Sequence, residues 1–273
     1  MLGKQSNVKI IGIGNIGKIH FLAALLNPKI KRIEVVDIDT QKLEKYKKVN
    51  FKQPFNIHIK KPDLLIIATP TITHKRIIES YGNSAEVILC EKPVCSNRQE
   101  LLNISKDLAK KIYGNYAWRL LPIVQKIKKD PPKKIKITYF TTQRFHKNID
   151  IREIICHPLD VLYYIFPESI TFQHKKEEKN ITEYAFMTKD DRDVKIILRY
   201  GNNDQILFEY PSKKGNKKER ILDSLDINGS KTNRWFYLTT QAHHSLIKST
   251  ARTVLPDYNE LQSIHKAMEE IIV

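Results

Sequence analysis

Three glycines that could bind a phosphate group follow the first apolar run of the chain. Gly12, Gly14 and Gly17 have the spacing G-x-G-x-x-G, and residues 8–11 before them are apolar except for one lysine. In this pattern the first glycine permits a tight turn, the second lets the backbone approach a pyrophosphate, and the third lets a helix pack closely. The backbone N–H groups at the start of that helix, at Asn15 and Ile16, point toward an anion placed there. The spacing therefore predicts a dinucleotide site.

A second apolar run, at 33–38, carries an acid at the position where a ribose would lie. Asp37 follows Gly17 by 20 residues, and a carboxylate at this spacing accepts hydrogen bonds from ribose hydroxyls. Its negative charge repels a 2′-phosphate, and no arginine follows directly. We predict that Asp37, with Ile38 beside it, binds NAD(H) in preference to NADP(H). The alternative is a structural βαβ turn that binds no nucleotide.

Three titratable side chains share one face of a predicted helix near the middle of the chain. Glu153 lies four residues before His157, and Asp160 lies three residues after it, which places all three along one face. A histidine in such a cluster can act as a general acid or base, because its pKa lies near neutral pH. The alternative is a partly buried histidine that pairs with Asp160 and serves packing.

Short apolar runs alternate with helical patterns over the first 118 residues, which is typical of a parallel sheet. We predict strands at 8–13, 33–38, 64–68, 87–90 and 112–116. Ligands bind at the carboxyl ends of such strands, where the sequence places Gly12, Asp37, Thr69-Pro70 and Glu91-Lys92-Pro93. The predicted fold class is α/β, with an N-terminal Rossmann domain at 1–118 that contains a doubly wound parallel sheet.

A different pattern begins after Pro122 and predicts an α+β domain with a largely antiparallel sheet at 119–273. We predict helices at 122–129, 151–165, 241–252 and 257–272, and strands at 134–145, 169–174, 181–188, 193–200, 205–211 and 234–240. The lysine runs at 175–176 and 213–218 are interpreted as solvated loops. An antiparallel sheet can pack one face against a second copy, so we expect a homo-oligomer formed through this sheet.

The composition is that of an ordinary globular protein with an excess of basic residues. Lys and Arg number 47 against 30 Asp and Glu, a net charge of +17. The lysines are spread along the chain without a basic–aromatic motif, so we expect an anionic small substrate and no specific nucleic-acid partner. Three cysteines without metal spacing predict a reducing, cytoplasmic location and no metal site. No apolar run has the length of a membrane span, so we expect no membrane partner.

Five motifs follow one another along most of the chain. They are Gly12-x-Gly14-x-x-Gly17-x-x-His20, Ala68-Thr69-Pro70-x-x-x-His74, Glu91-Lys92-Pro93, Asn115-Tyr116-x-x-Arg119-x-x-Pro122 and Glu153-x-x-x-His157-x-x-Asp160. Any one of them is weak, but the ordered set resembles the glucose–fructose oxidoreductase/inositol dehydrogenase/MocA (Gfo/Idh/MocA) family of nicotinamide-dependent oxidoreductases. The resemblance implies hydride transfer between a nicotinamide and a hydroxyl or keto carbon of a sugar, nucleotide sugar or cyclitol.

The resemblance also implies roles for individual residues. Lys92 and His157 would handle the proton, with Glu153 as a third catalytic residue. The predicted cofactor-binding residues are Gly12, Gly14, Asn15, Ile16, Gly17, Asp37, Ile38, Thr69, Pro70, His74, Glu91 and Lys92. Trp118, Arg119 and Asp160 are candidate substrate contacts. For Arg119 a structural ion pair is the alternative, and for Lys92 a salt bridge at the rim of the site.

Three features depart from the family pattern. The family usually has Asp four residues before the histidine, where this chain has Glu153, and residues 146–150 replace a glycine-rich stretch. The second domain is also short. Two other functions therefore stay open. One is reduction of a C=N or C=C bond, as in imine or bile-pigment reductases. The other is a non-catalytic module that senses a nucleotide and binds a partner.

Overall fold

The structure is a computed structural model that describes residues 6–47, 58–142, 150–167, 170–201, 205–212, 215–222, 224–227, 230–247 and 254–272. The chain divides into two units. Unit 1 contains Met1–Ala117 and Trp235–Gln262, and unit 2 contains Trp118–Arg234 and Ser263–Val273. The domain boundary predicted at 118/119 stays a prediction.

Unit 1 is built on a parallel sheet. Its strands are β1 (Ser6–Ile11), β2 (Ile30–Val36), β3 (Leu64–Ile67), β4 (Val87–Cys90) and β5 (Ile112–Gly114). Among the described residues they lie in the order β2-β1-β3-β4-β5, and each pairing is parallel. Every residue of β3 and β4 is buried, as in a sheet that is covered on both faces. The predicted doubly wound parallel sheet is confirmed.

The helices separate the strands of unit 1 and flank the sheet of unit 2. They are α1 (Asn15–Leu25), α2 (Thr40–Lys47), α3 (His74–Tyr81), α4 (Arg98–Leu102), α5 (Lys106–Ala109), α6 (Pro122–Lys129), α7 (Ile151–Ile165), α8 (Arg234–Ile247) and α9 (Tyr258–Ile272). The helices predicted at 122–129 and 151–165 are thus α6 and α7. The helix predicted at 241–252 continues α8 as far as residue 247, and residues 248–252 lie outside the described part.

Residues 234–240 form the first half of α8, so the strand predicted there is wrong. Aromatic and β-branched side chains favour strands, and the segment is rich in both. The buried residues Leu238, Ala242 and Leu246 nevertheless recur every four positions, which is the spacing of one helix face. Burial of that face decided the structure over local propensity.

The C-terminal residues of unit 1 are hydrogen-bonded to the rest of that unit at two places. Gly114 N–H donates to the carbonyl oxygen of Pro256 at 3.2 Å, and the Tyr258 hydroxyl donates to the carbonyl oxygen of Leu101 at 2.6 Å. These bonds tie the segment around the start of α9 to β5 and α4.

Unit 2 is built on a mostly antiparallel sheet. Its strands are β6 (Lys134–Thr142), β7 (Ile170–Glu178), β8 (Ile181–Thr188), β9 (Asp193–Gly201), β10 (Gln205–Ser212) and β11 (Gly215–Leu222), followed by a hairpin of β12 (Ser224–Ile227) and β13 (Ser230–Asn233). In the described part the order is β11-β10-β6-β9-β8-β7, and of these pairings only β6–β9 is parallel. The predicted sheet is confirmed. Residues 143–145, the end of the strand predicted at 134–145, lie outside the described part.

The lysine runs lie in strands, so the loops predicted for them are wrong. Lys175 and Lys176 belong to β7, and Lys217 and Lys218 belong to β11, whereas Lys213 and Lys214 lie outside the described residues. Within the described sheet, β7 and β11 are the edge strands. Charged side chains on an edge strand oppose pairing with the edge of another chain. The polarity that suggested a loop therefore suits an edge strand.

Candidate cofactor and catalytic site

Gly12 and Gly17 are required by the close packing of β1, α1 and the turn after β3. Gly12 has φ +95°, and a Cβ there would lie 2.5 Å from the carbonyl oxygen of Ala68. A Cβ on Gly17 would lie 2.1 Å from the carbonyl oxygen of Gly12. Both distances are shorter than any contact between these atoms allows, so only glycine fits at either position. The turn and the tight helix packing predicted from the sequence are present.

Gly14 differs, because the protein itself leaves room for a side chain there. Apart from Gly14 itself and its neighbours in the chain, no atom of the described residues lies within 4 Å of the position that its Cβ would take. Gly14 caps α1 in an extended conformation, and the first turn of the helix carries no acidic residue. The N–H groups of Asn15, Ile16 and Gly17 precede the first bond of the helix, from Lys18 N–H to the carbonyl oxygen of Gly14. Open space before such donors fits a pyrophosphate.

Asp37 ties the glycine turn to the loop that follows β2. One carboxylate oxygen accepts the N–H of Ile13 at 2.7 Å, and the other accepts the N–H of Asp39 at 2.8 Å. Each oxygen keeps a further lone pair that can accept a ribose hydroxyl. Next to it the side chain of Ile38 is fully exposed, and Ile72, in the turn after β3, is 80% exposed. Because β1 lies between β2 and β3, these two apolar side chains flank the glycine turn.

The turns that follow β3 and β4 are joined through His74. Its Nδ1 lies 2.9 Å from the carbonyl oxygen of Pro93 and its Nε2 lies 2.8 Å from that of Thr69. The Thr73 hydroxyl also donates to the Thr69 hydroxyl at 2.7 Å. His74 is fully buried and holds the backbone of both turns, while Pro70 is exposed. Thr69 and Pro70 are therefore fixed in place at the carboxyl end of β3.

Glu91 follows β4 and is the centre of a buried group of polar side chains. One of its oxygens lies 2.8 Å from His20 Nε2 and accepts a hydrogen bond from Asn115 Nδ2 at 2.6 Å. Burial acts to raise the pKa of Glu91. The bonds from His20 and Asn115, with the charges of His20 and Lys92, outweigh burial and lower that pKa. The carboxylate is thus ionised at neutral pH, and Lys92 beside it is half-buried.

In unit 2, α7 carries the three residues that the sequence placed on one helix face. Asp150 caps the helix by accepting the Arg152 N–H at 2.9 Å, and Glu153 is half-buried in the first turn. His157 is buried, and its ring stacks on Trp118 with centroids 4.7 Å apart and an interplanar angle of 6°. The stack fixes the plane of the imidazole.

Asp160 and Arg119 form an ion pair in the interior of unit 2. Arg119 Nε lies 2.9 and 3.0 Å from the two oxygens of Asp160, and its Nη2 lies 2.7 Å from one of them. Both side chains have no exposed surface, and the guanidinium lies over the Tyr164 ring at 4.7 Å. This geometry is the one expected if Arg119 forms a structural ion pair, the alternative given for it above. The role of Trp118, Arg119 and Asp160 as substrate contacts stays a prediction.

Residues 6–113 match the sequence model of a family described as an oxidoreductase family with an NAD-binding Rossmann fold, GFO_IDH_MocA. Over these residues the chain is similar to the Gfo/Idh/MocA family of oxidoreductases. The matched residues lie within unit 1 of the described fold. No curated protein matches the chain by sequence.

Solved structures share the fold of this protein over nearly its whole length. Scyllo-inositol dehydrogenase from Lactobacillus casei, solved with NAD(H) and scyllo-inositol, is 13% identical (TM-score 0.77; 98% of this chain, 96% of the other). UDP-N-acetylglucosamine 3-dehydrogenase from Acidithiobacillus ferrooxidans is 12% identical (TM-score 0.76; 98% and 97%). A dehydrogenase from Clostridium difficile is 16% identical (TM-score 0.75; 98% and 99%). At these identities the likeness establishes the fold.

Two features of the structure were not predicted from the sequence. Ile72 was passed over because exposure of an apolar side chain cannot be deduced from its neighbours in sequence. His243 is fully buried and its Nε2 lies 2.8 Å from His20 Nδ1, a contact that no short-range sequence pattern indicates. Within the described residues no group of three or more His, Cys, Asp or Glu could hold a metal ion. No helix among them is long and apolar enough to cross a membrane.

Proposed function

We propose that the protein is an NAD(H)-dependent dehydrogenase that transfers hydride between the nicotinamide and a hydroxyl or keto carbon of a cyclitol, sugar or nucleotide sugar. The observation that carries the cofactor part is the open space at Gly14 before the N–H groups of α1. The substrate class is supported by solved structures of the same fold, which include a scyllo-inositol dehydrogenase and a UDP-N-acetylglucosamine 3-dehydrogenase.

Each part of the dinucleotide has residues of unit 1 that suit it. The glycine turn and the start of α1 would hold the pyrophosphate, and Asp37 would accept the adenosine ribose hydroxyls. The exposed side chains of Ile38 and Ile72 offer apolar surface to the adenine ring. Thr69, Pro70 and the turn at Glu91 would line the nicotinamide side. The bound nicotinamide would accept or supply the hydride.

The protein's own residues would move the proton that accompanies the hydride. When an alcohol is oxidised, His157 would take the hydroxyl proton, and in the reverse direction it would return that proton to the alkoxide. The ammonium group of Lys92 would donate a hydrogen bond to the same oxygen and stabilise its developing negative charge. Glu153, one turn before His157, would orient the imidazole or bind a substrate hydroxyl.

Fluorescence titration with NADH and, in parallel, NADPH tests the cofactor. We expect micromolar binding with NADH preferred, because the carboxylate of Asp37 repels a 2′-phosphate. Tighter binding of NADPH would contradict the role of Asp37. Absence of binding to either would leave a structural turn and favour a non-catalytic module.

Lys92→Ala tests the chemistry. With scyllo-inositol, myo-inositol and UDP-N-acetylglucosamine as substrates, we expect turnover to fall by about 10²–10⁴-fold while NADH affinity stays nearly unchanged. Lys110→Ala, at an exposed lysine after α5, is the control and should keep full activity. Undiminished turnover in the Lys92 variant would remove this residue from the mechanism. Activity on cyclic imines or conjugated pigments alone would establish C=N or C=C reduction instead.

We also propose that the protein forms a homo-oligomer through the sheet of unit 2. In the registers of β10, β6 and β9, Leu207 lies beside Thr138, Thr138 beside Ile197, and Phe140 beside Arg199. Leu207, Ile197, Phe140 and Arg199 are at least partly exposed and alternate with buried residues of their strands, whereas Thr138 between them is buried. The apolar centre they form on the outer face suits an interface between copies.

A further inference from the structure

A chain of four buried polar side chains runs through unit 1 from α8 to the turn that carries Lys92. His243 Nε2 lies 2.8 Å from His20 Nδ1, His20 Nε2 lies 2.8 Å from Glu91 Oε1, and Asn115 Nδ2 donates to that same oxygen at 2.6 Å. His20 and His243 have no exposed surface, and Glu91 and Asn115 have less than a tenth. We call these four residues the buried polar chain. The proposed proton transfer uses none of its histidines.

The Glu91 carboxylate and a neutral imidazole at His20, the form that the proposal below assigns to it, together set the direction of the hydrogen bonds between the side chains of His243, His20 and Glu91. A carboxylate only accepts hydrogen bonds, so His20 must carry a proton on Nε2. In a neutral His20 the other nitrogen, Nδ1, is then an acceptor. His243 must therefore donate its own Nε2–H to it. The chain reads as a donation from His243 to His20 and from His20 to Glu91.

Glu91, the acceptor at the end of the buried polar chain, also accepts a hydrogen bond from the backbone of the turn at Lys92. Glu91 Oε2 lies 3.4 Å from the Lys92 N–H, which donates to it. Around it, Glu91 N–H donates to the carbonyl oxygen of Ile67 at 2.9 Å and Asn115 N–H donates to that of Cys90 at 2.7 Å. The orientation of the Glu91 carboxylate is thus coupled to the backbone from which the Lys92 side chain projects.

Packing alone does not explain why position 243 carries a histidine and not a hydrocarbon ring. The rings of His20 and His243 stack with centroids 5.1 Å apart and an interplanar angle of 14°, a contact that phenylalanine could also provide. Burial of an imidazole costs free energy unless its polar atoms are bonded. The N–H donated to His20 is the property that distinguishes histidine from an aromatic hydrocarbon at this position.

We infer that His243 is a positioning residue for Lys92. By donating to His20 Nδ1 it keeps His20 in the Nε2–H form, and His20 in that form holds the Glu91 carboxylate and the turn at Lys92. Helix α8, from the C-terminal part of the chain, thereby controls the geometry of a turn at the end of β4. The inference rests on the proposed function, in which Lys92 acts at the nicotinamide.

Imidazole and backbone NMR of the full-length, cofactor-free protein tests this inference apart from NADH binding. In the unsubstituted protein we expect His20 to be protonated on Nε2 alone. His243→Phe keeps the stacking but removes the donor, so the ring signals of His20 and the backbone amide signal of Lys92 should both shift. His243→Gln places an amide N–H near the former Nε2, so both sets of signals should return toward those of the unsubstituted protein.

His265→Phe is the matched control, because His265 is equally buried but lies in unit 2. It should leave the signals of His20 and Lys92 in place. A proton on Nδ1 of His20 in the unsubstituted protein overturns the inference, whether or not any variant folds. So does an unshifted Lys92 amide in folded His243→Phe, or an equal shift in the control. If the unsubstituted protein did not bind NADH, that result would instead refute the proposed function.

Discussion

At the scale of single residues, the three glycines of the turn meet different physical demands. Gly12 and Gly17 are confined by backbone atoms of the protein itself, since a Cβ at either would overlap a carbonyl oxygen. At Gly14, by contrast, a Cβ would meet no atom of the described residues other than its neighbours in the chain. Its backbone is extended, with φ −67°, a conformation open to any residue. A side chain at position 14 would therefore affect a bound dinucleotide before it affected the fold.

Gly14→Asp separates these two effects. Asp is a strong N-cap residue, so we expect the melting temperature to stay the same or rise. Its carboxylate would stand where the pyrophosphate binds, so NADH affinity should fall by at least about tenfold, which corresponds to about 1.4 kcal/mol. Thermal unfolding and fluorescence titration of the same sample measure both quantities.

Two control variants make the result at Gly14 specific. Gly14→Asn has nearly the same shape and capping ability without the charge, so it should bind NADH more tightly than Gly14→Asp. Gly17→Ala should lower the melting temperature, because its Cβ would meet the carbonyl oxygen of Gly12. If Gly14→Asp bound NADH as well as the unsubstituted protein, the pyrophosphate could not lie at this turn.

Sequence was a good guide to residues whose role is local and a poor guide to long-range partners. The turn at Gly12 follows from spacing, because strand, turn and helix are contiguous. The bond between His20 and His243 joins positions 223 residues apart, and no short-range pattern indicates it. Likewise, the sequence placed Asp160 on the face of His157, but the partner that orients its carboxylate is Arg119, 41 residues away.

At the scale of secondary structure elements, burial patterns were more informative than propensity. The strands of unit 1 could be predicted because parallel strands buried on both faces are continuous apolar runs. Propensity failed at 234–240, where aromatic residues open a helix, and at β11, where an edge strand is highly charged. In both cases the structure depends on residues outside the segment itself: those that bury one face of α8, and those of β10 that pair with β11. Intrinsic propensity contains no information about such contacts.

Helix α9 carries a buried histidine whose charge state follows from its surroundings. His265 on α9 is buried, and burial, with the nearby positive charge of Arg152 at the start of α7, lowers its pKa from 6.5 to about 4. The neutral form is thus favoured in the folded state. Above pH 6.5 the group contributes nothing to the pH dependence of stability, because it is neutral in both states.

Below pH 6.5 the unfolded chain binds a proton at His265 that the folded chain refuses until about pH 4. The free energy of unfolding should therefore decrease as the pH is lowered through this window. The contribution of His265 to that decrease is about 2 kcal/mol between pH 7 and pH 5. Urea unfolding at both pH values measures the loss. In His265→Gln the loss should be smaller by that amount, and equal losses in the two proteins would show that His265 does not titrate as described.

At the scale of the whole molecule, the outer face of the unit 2 sheet has the features of an interface between copies. Its centre lies across three neighbouring strands, where the partly exposed side chains of Leu207 and Ile197 stand on either side of the buried Thr138. Along one side runs a band of ion pairs, in which Lys136 and Lys218 contact Glu209 and Lys195 contacts Glu183. An apolar centre with a polar rim is the common anatomy of protein interfaces. The charged edge strands oppose association through the edges of the sheet, so the face is the surface through which copies can associate.

Sedimentation analysis at micromolar concentration tests this association. We expect the mass of a dimer or a larger assembly. Ile197→Glu should reduce it to that of one chain, because the variant buries an unpaired charge at the centre of the face. Lys176→Glu, on the edge strand β7, also alters charge on an exposed strand position and should leave the mass unchanged. A monomeric mass for the unsubstituted protein would refute the interface. Dissociation by the edge variant alone would locate the contact at the edge of the sheet.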